Sequence, residues 1–137
     1  MQPLEIYIPG KSVPQGRPRF ARRGNFVQTY DAKQSVDYKS WVKHCALEVM
    51  HKTGTQLISR DVPLHMVLNV VIAKPSSVPK RRLCPVVKPD LDNIQKTIQD
   101  ALEGIAYQAD QQIVSISSVK RYGQADSVTV TLQDWSE

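Results

Sequence analysis

Cysteine is scarce in this chain, and the two that occur, Cys45 and Cys84, are far apart, with no C-x-x-C pair and no Cys/His ligand spacing around them. A disulfide-stapled scaffold and a structural zinc site are therefore not encoded. His44, His51 and His65 do not repair the missing zinc pattern. Long apolar runs are absent as well: the longest candidate, Met66 to Ala73, is interrupted by Asn69 and stops at Lys74, far short of the roughly 18 residues that read as a membrane span. No basic-apolar-small leader opens the sequence, and neither an internal repeat nor a low-complexity tract is present. At 137 residues, 41% hydrophobic and 23% charged, the composition is that of an ordinary globular domain able to bury its own core. The expectation is one soluble domain spanning residues 1–137, in a reducing cytoplasm, with no membrane partner.

Acidic residues are the rarer charge, 13 against 18 Lys/Arg, and their distribution is uneven. Residues 1–88 hold 15 basic and 5 acidic side chains, whereas residues 89–137 hold 3 and 8, so the two parts carry +10 and −5. Clustered Lys/Arg suits a polyanion. A few acids inside such a surface would repel that polyanion unless a cation lay between them. Charge alone fits a merely solvated surface equally well.

The periodicities outline the elements. "LEIYIPG" alternates and then turns, which predicts a first strand. "KSVPQGRPRFARRGNFVQTY" reads as an ordered basic loop leading into a short strand at 26–30. A helix should start at Asp31, acting as N-cap, and run to about Thr53, with Val36, Trp41, Val42, Cys45, Leu47, Val49 and Met50 as its apolar face. "PLHMVLNVVIA" is the strongest strand signal. Residues 74–89 carry four prolines and five basic residues, too many breakers for an element interior. A second helix runs from about Leu91 to Glu103, with Ile94, Ile98, Ala101 and Leu102 facing the core, and Gly104 ends it. Two alternating segments, "QQIVSISSVKRY" and "SVTVTLQ", predict a closing antiparallel hairpin. The resulting class is α+β, with two helices packed on one face of a mixed, largely antiparallel sheet.

The acids gather in "KPDLDNIQKTIQDAL", residues 88–102. Asp90 falls at the helix mouth, and Asp92, Lys96 and Asp100 are spaced by four along one stripe. Carboxylates at the positive end of a helix dipole can be simple caps or ion-pair partners. Asp110, at the entry to the next strand, is expected to return beside the start of this helix, giving three carboxylates in one place. Hard oxygen donors in such a cluster suit Mg²⁺, with Mn²⁺ able to substitute. An EF-hand is excluded, because counting from Asp90 puts Gln95 where its glycine belongs and Ala101 where its glutamate belongs. Lys96, one turn along, is placed to hold a phosphate or neutralise charge in a transition state.

Three segments together, "GKSVPQGRPRF" (10–20), "KPDLDNIQKTIQDAL" (88–102) and "DQQI" (110–113), resemble the RusA-type Holliday junction resolvases. That resemblance implies a homodimeric, Mg²⁺-dependent endodeoxyribonuclease, bacterial or prophage-encoded, that nicks four-way DNA junctions symmetrically. It would leave 5′-phosphate and 3′-hydroxyl ends and use no organic cofactor. Carried over by position, Asp90, Asp92 and Asp110 would be metal-binding catalytic carboxylates, Lys96 the catalytic lysine, and Asp100 a supporting residue. Lys11, Arg17, Arg19, Arg22 and Arg23 in the first basic segment, and Lys80, Arg81, Arg82 and Lys88 in the second, would contact DNA. Phe20 fits either a base stack or a core anchor. Ala109 stands where family members often carry a further acid. Two other readings remain open at this point: a nuclease for flaps or other branched DNA, and a non-catalytic junction-binding module.

Overall fold

The computed structural model describes residues 1–14, 19–23, 26–30 and 33–136. Six strands and two helices are described: β1 (Leu4–Pro9), β2 (Arg19–Arg23), β3 (Phe26–Tyr30), α1 (Lys33–Thr53), β4 (Leu64–Ala73), α2 (Leu91–Leu102), β5 (Ile113–Gly123) and β6 (Ser127–Asp134). A single 3₁₀ turn, Asp110–Gln112, leads into β5. The main sheet has the order β1-β6-β4-β5, and β2 and β3 form a separate antiparallel ribbon. This is a single-domain α+β fold with a mixed sheet.

Period-two alternation determines which face of the sheet is buried. Leu4, Ile6 and Ile8 of β1, Leu64, Met66, Leu68 and Val70 of β4, and Val128, Val130 and Leu132 of β6 are all essentially inaccessible to solvent. The helices cover these residues. In α2 the expected core face is the observed one: Ile94, Ile98, Ala101 and Leu102 are fully buried, together with Thr97, whose hydroxyl donates to Asn93 O at 3.1 Å. Burying one such Ile or Leu side chain contributes about 1.5–3 kcal/mol, so this stripe, more than local propensity, fixes α2 against the sheet.

The stripe of α1 differs from the expectation. Tyr38, Val42, Cys45, Ala46 and Met50 are buried, whereas Val36, Trp41 and Leu47 are exposed. Trp41 is held at the surface by its indole N–H, which donates to Pro9 O at 2.9 Å and ties α1 to the end of β1. The proposed Asp31 cap lies outside the described residues. The first basic segment also differs: residues 19–23 form β2 rather than loop.

The largest correction concerns the end of the chain. β5 and β6 are not a hairpin pair, because β4 lies between them, antiparallel to β6 and parallel to β5. A parallel pair needs a crossover connection, and α2 is its helix. The consequence is directional: α2 runs back against β5. Ser118 Oγ, midway along β5, donates to Gln95 Oε1 in the first half of α2 at 2.8 Å, and Lys120, further along β5, reaches Pro89 just before α2. The entry to β5 is therefore beside the end of α2. Among the described residues, no helix is long and apolar enough to cross a membrane.

Candidate active site

The mouth of α2 is presented by the proline-rich segment 74–89, which is anchored at several points. Lys74 N donates to Gly123 O at 3.1 Å, Tyr122 N to Leu83 O at 2.9 Å, and Lys74 Nζ to Lys80 O at 2.8 Å. The last anchor is Lys120: its ammonium donates to Val87 O at 2.7 Å and Pro89 O at 2.9 Å, on either side of the cis Lys88-Pro89 peptide. Charged donors make the stronger class of hydrogen bond, and here they hold the residues immediately before Asp90.

Asp90 occupies the N-cap position with extended backbone, φ −71° and ψ 135°, but its side chain makes no capping hydrogen bond. Its carboxylate is exposed and lies 3.7 Å from Lys88 Nζ, an exposed pair of little energetic weight. Asp92, also exposed, accepts locally, from Asn93 N at 3.0 Å. Capping thus fails to account for Asp90. Both carboxylates are exposed at the positive end of a helix, and their oxygens are hard donors. Mg²⁺ is commonly held by one or two carboxylates with waters and substrate phosphate completing the shell, and the residues present fit that pattern.

Asp110 is elsewhere. Its N–H donates to Glu103 Oε2 at 2.7 Å, and its carboxylate accepts from the buried Tyr107 hydroxyl at 3.0 Å, which is also 2.8 Å from Gln99 O. These partners belong to the last turn of α2 and the loop beyond it. A 12-residue helix is about 18 Å long, so the expected return to the helix mouth does not occur. Among the described residues no group of three or more His, Cys, Asp or Glu side chains is arranged to hold a metal ion. The reason is the parallel β4–β5 pairing, which brings the chain into β5 at the far end of α2.

Burial pushes the Asp110 carboxyl above its ordinary range; the Tyr107 hydrogen bond opposes this, Glu103 and Asp100 add to it, and Lys96 counters it. Tyr107 is itself held well above the usual phenol range, first by burial and then by the Asp110 charge. Asp100 lies between two cations, 3.8 Å from Lys39 of α1 and 3.9 Å from Lys96. The i,i+4 partner of Lys96 is thus Asp100, on the side away from Asp92. Lys96, one turn beyond Asp92 along α2, also acts on the Asp110 carboxyl.

Basic residues line two cavities that share Tyr122. Lys11 and Lys88 line a cavity of about 520 Å³ that also includes Asp90, and Lys80 and Arg82 line a second of about 510 Å³ with Lys74. Arg81 is exposed beside them. Arg17 lies outside the described residues, as do the side chains of Arg19, Phe20, Arg22 and Arg23. Lys74, Lys120 and Tyr122 were not singled out in the sequence. One signal for Lys120 was available: in β5 the positions of Ile116, Ser118 and Lys120 alternate onto the helix-facing side, where a lysine needs a partner.

The fold and site define an α+β domain with exposed carboxylates at a helix mouth, beside a cavity lined by Lys11 and Lys88. The comparison with known families places it. The model of the family "Endodeoxyribonuclease RusA" matches residues 9–133, and the chain belongs to that family of endodeoxyribonucleases. It is also 29% identical over 143 residues to the uncharacterized protein YqaN of Bacillus subtilis (strain 168), with 99% of each chain covered.

Proposed function

We propose that this protein is a homodimeric, Mg²⁺-dependent endonuclease that resolves four-way DNA junctions by paired, symmetric nicks. The observation that carries the reading is Asp90, which holds an N-cap position without capping and opens instead onto a cavity shared with Lys11 and Lys88. Asp90 and Asp92 would hold the ion; when bound, it supplies charge neutralisation at the scissile phosphate and a more acidic water. Lys88 and Lys11 orient the phosphate from the cavity side. Lys96 supplies positive charge where the pentacoordinate phosphorus accumulates negative charge. In-line attack by water leaves a 5′-phosphate and a 3′-hydroxyl. The arm residues Arg17, Arg19, Arg22 and Arg23, with Lys80, Arg81 and Arg82, contribute phosphate contacts that position rather than read the DNA. A four-way junction has approximate twofold symmetry, so a C2 dimer offers one such site to each of two opposed strands.

Asp110 enters as the third acid of the family pattern, separated from the pair within one chain and lying within the field of Lys96. Its role is tested separately from theirs, by Asp110→Asn.

The deciding experiment is cleavage of a labelled four-way junction with and without Mg²⁺, beside flap and linear duplex substrates. Two symmetric nicks in the junction, dependent on the metal, are expected. Equal cleavage of flaps would move the reading to a general branched-DNA nuclease, and binding without cleavage in either Mg²⁺ or Mn²⁺ would leave a junction-binding module.

Lys120 gives a further expectation. Lys120→Met removes both contacts that fix the carbonyls before Asp90, and should slow single-turnover cleavage by about 10- to 100-fold, as loss of an orienting partner behind a ligand does. Lys120→Arg should recover part of the rate. A lowered melting temperature with an unchanged rate would restrict Lys120 to holding the loop.

A further inference from the structure

The cavity at Asp90 is larger and more apolar than a phosphate requires. Its volume of about 520 Å³ lies in the range of sites that enclose a small organic ligand. Pro75, Pro89, Ile72 and Tyr122 give it flat or branched apolar surfaces, and Asn93 and Asp126 bring polar edges into it. Asp126 is held in place, since its Oδ1 accepts from Ala73 N at 3.1 Å and its backbone carbonyl from Gly10 N at 3.0 Å. Tyr122 lines this cavity and also the neighbouring one, where Lys74, Lys80 and Arg82 collect. The Lys74 ammonium lies 5.7 Å from the centroid of the Tyr122 ring, so one aromatic side chain adjoins an apolar chamber and a basic track.

An aromatic wall beside a cationic path is how proteins accommodate unpaired nucleotides: bases stack, and the backbone follows the charge. A cavity of about 520 Å³ has room for one nucleotide. Asp90 lines the same chamber, so whatever enters it adjoins the proposed site of cleavage. We propose that the cavity receives one unpaired nucleobase of the branched DNA, from the nucleotide flanking the scissile phosphate, stacked against Tyr122 with its edge toward Asn93 and Asp126. The inference rests on the nuclease reading and adds the component of the substrate that a duplex lacks. Selectivity for branch points follows from it, because a base is available to leave the stack at a crossover and costs a few kcal/mol to extract from paired DNA.

An abasic scan tests it. Single abasic nucleotides are placed in turn at each position around the crossover, and single-turnover cleavage is measured with the full-length protein in Mg²⁺. One position per cut strand is expected to lower the rate by about tenfold or more, the scale of a lost base–aromatic stack. Tyr122→Leu should cleave the intact junction about tenfold more slowly and respond no further to that abasic position, while Tyr122→Phe should behave as wild type. Wild-type rates within twofold of the intact junction at every abasic position would overturn the proposal, whether or not the variants fold. A junction that binds but is not cleaved would sink the nuclease reading separately. In that case 2-aminopurine at the crossover decides: a fluorescence change on binding at one position per strand supports the chamber, and no change at any position overturns it.

Discussion

Asp92→Asn is expected to slow single-turnover junction cleavage by about a thousandfold while leaving junction affinity unchanged or slightly tighter, and Asp90→Asn to do the same. The magnitude follows from the several kcal/mol that a properly held divalent ion contributes to a phosphoryl transition state, at about 1.4 kcal/mol per tenfold in rate. The sign of the binding effect follows from charge: each change removes a negative group from a surface that meets phosphates, among lysines that stay in place. Stability cannot produce the same result. Both carboxylates are exposed, Asp90 makes no capping bond, and loss of a charge–dipole interaction at a helix start is worth about 0.3–1 kcal/mol. Fluorescence anisotropy with a labelled junction, run beside the cleavage assay and a thermal melt, separates the three quantities. Binding that falls in step with cleavage would refute the assignment of these residues to chemistry.

Lys96→Ala is the second large effect. If Lys96 acts on the transition state, the single-turnover rate should fall by two to three orders of magnitude at saturating Mg²⁺, as for loss of one preorganised electrostatic contact. If its work is the pairing with Asp100, at 3.9 Å and with a side chain 64% exposed, the change should be a few tenths of a kcal/mol in stability and little in rate. Asp100→Asn discriminates further, because it removes the pairing while retaining the lysine: a catalytic Lys96 tolerates it, and a purely structural pair does not distinguish the two variants. Enzyme in excess over junction reports the chemical step without product release. A Lys96→Ala rate within threefold of wild type would take the residue off the catalytic path.

The site was legible in the sequence to the extent that one helix carries it. Asp90, Asp92, Lys96 and Asp100 lie in a single amphipathic segment, where 3.6-residue periodicity places them relative to the buried Ile94, Ile98 and Leu102 without reference to anything distant. The basic segments could be assigned to the same neighbourhood only through the family pattern. Lys120 and Tyr122 escaped notice because their partners, Val87, Pro89 and Lys74, are more than thirty residues away in the chain.

Local order was set by the sequence itself: the alternation in β1, β4, β5 and β6, the core face of α2, the glycine at its end and the family's motif spacing are all readable within windows of a few residues. Partner choice between strands was decided only in three dimensions. A closing hairpin and two strands separated by a third have the same period-two pattern, since each strand needs only an apolar face and paired backbone groups, whichever neighbour provides them. The tertiary structure inserted β4 between β5 and β6, made α2 a crossover running back against β5, and so put Asp110 with Glu103 and Tyr107 instead of with Asp90. Exposure on α1 was decided the same way: Val36, Trp41 and Leu47 satisfy an apolar count, but only the residues that meet the sheet and α2 are buried, because burial depends on which side of the helix has a neighbour.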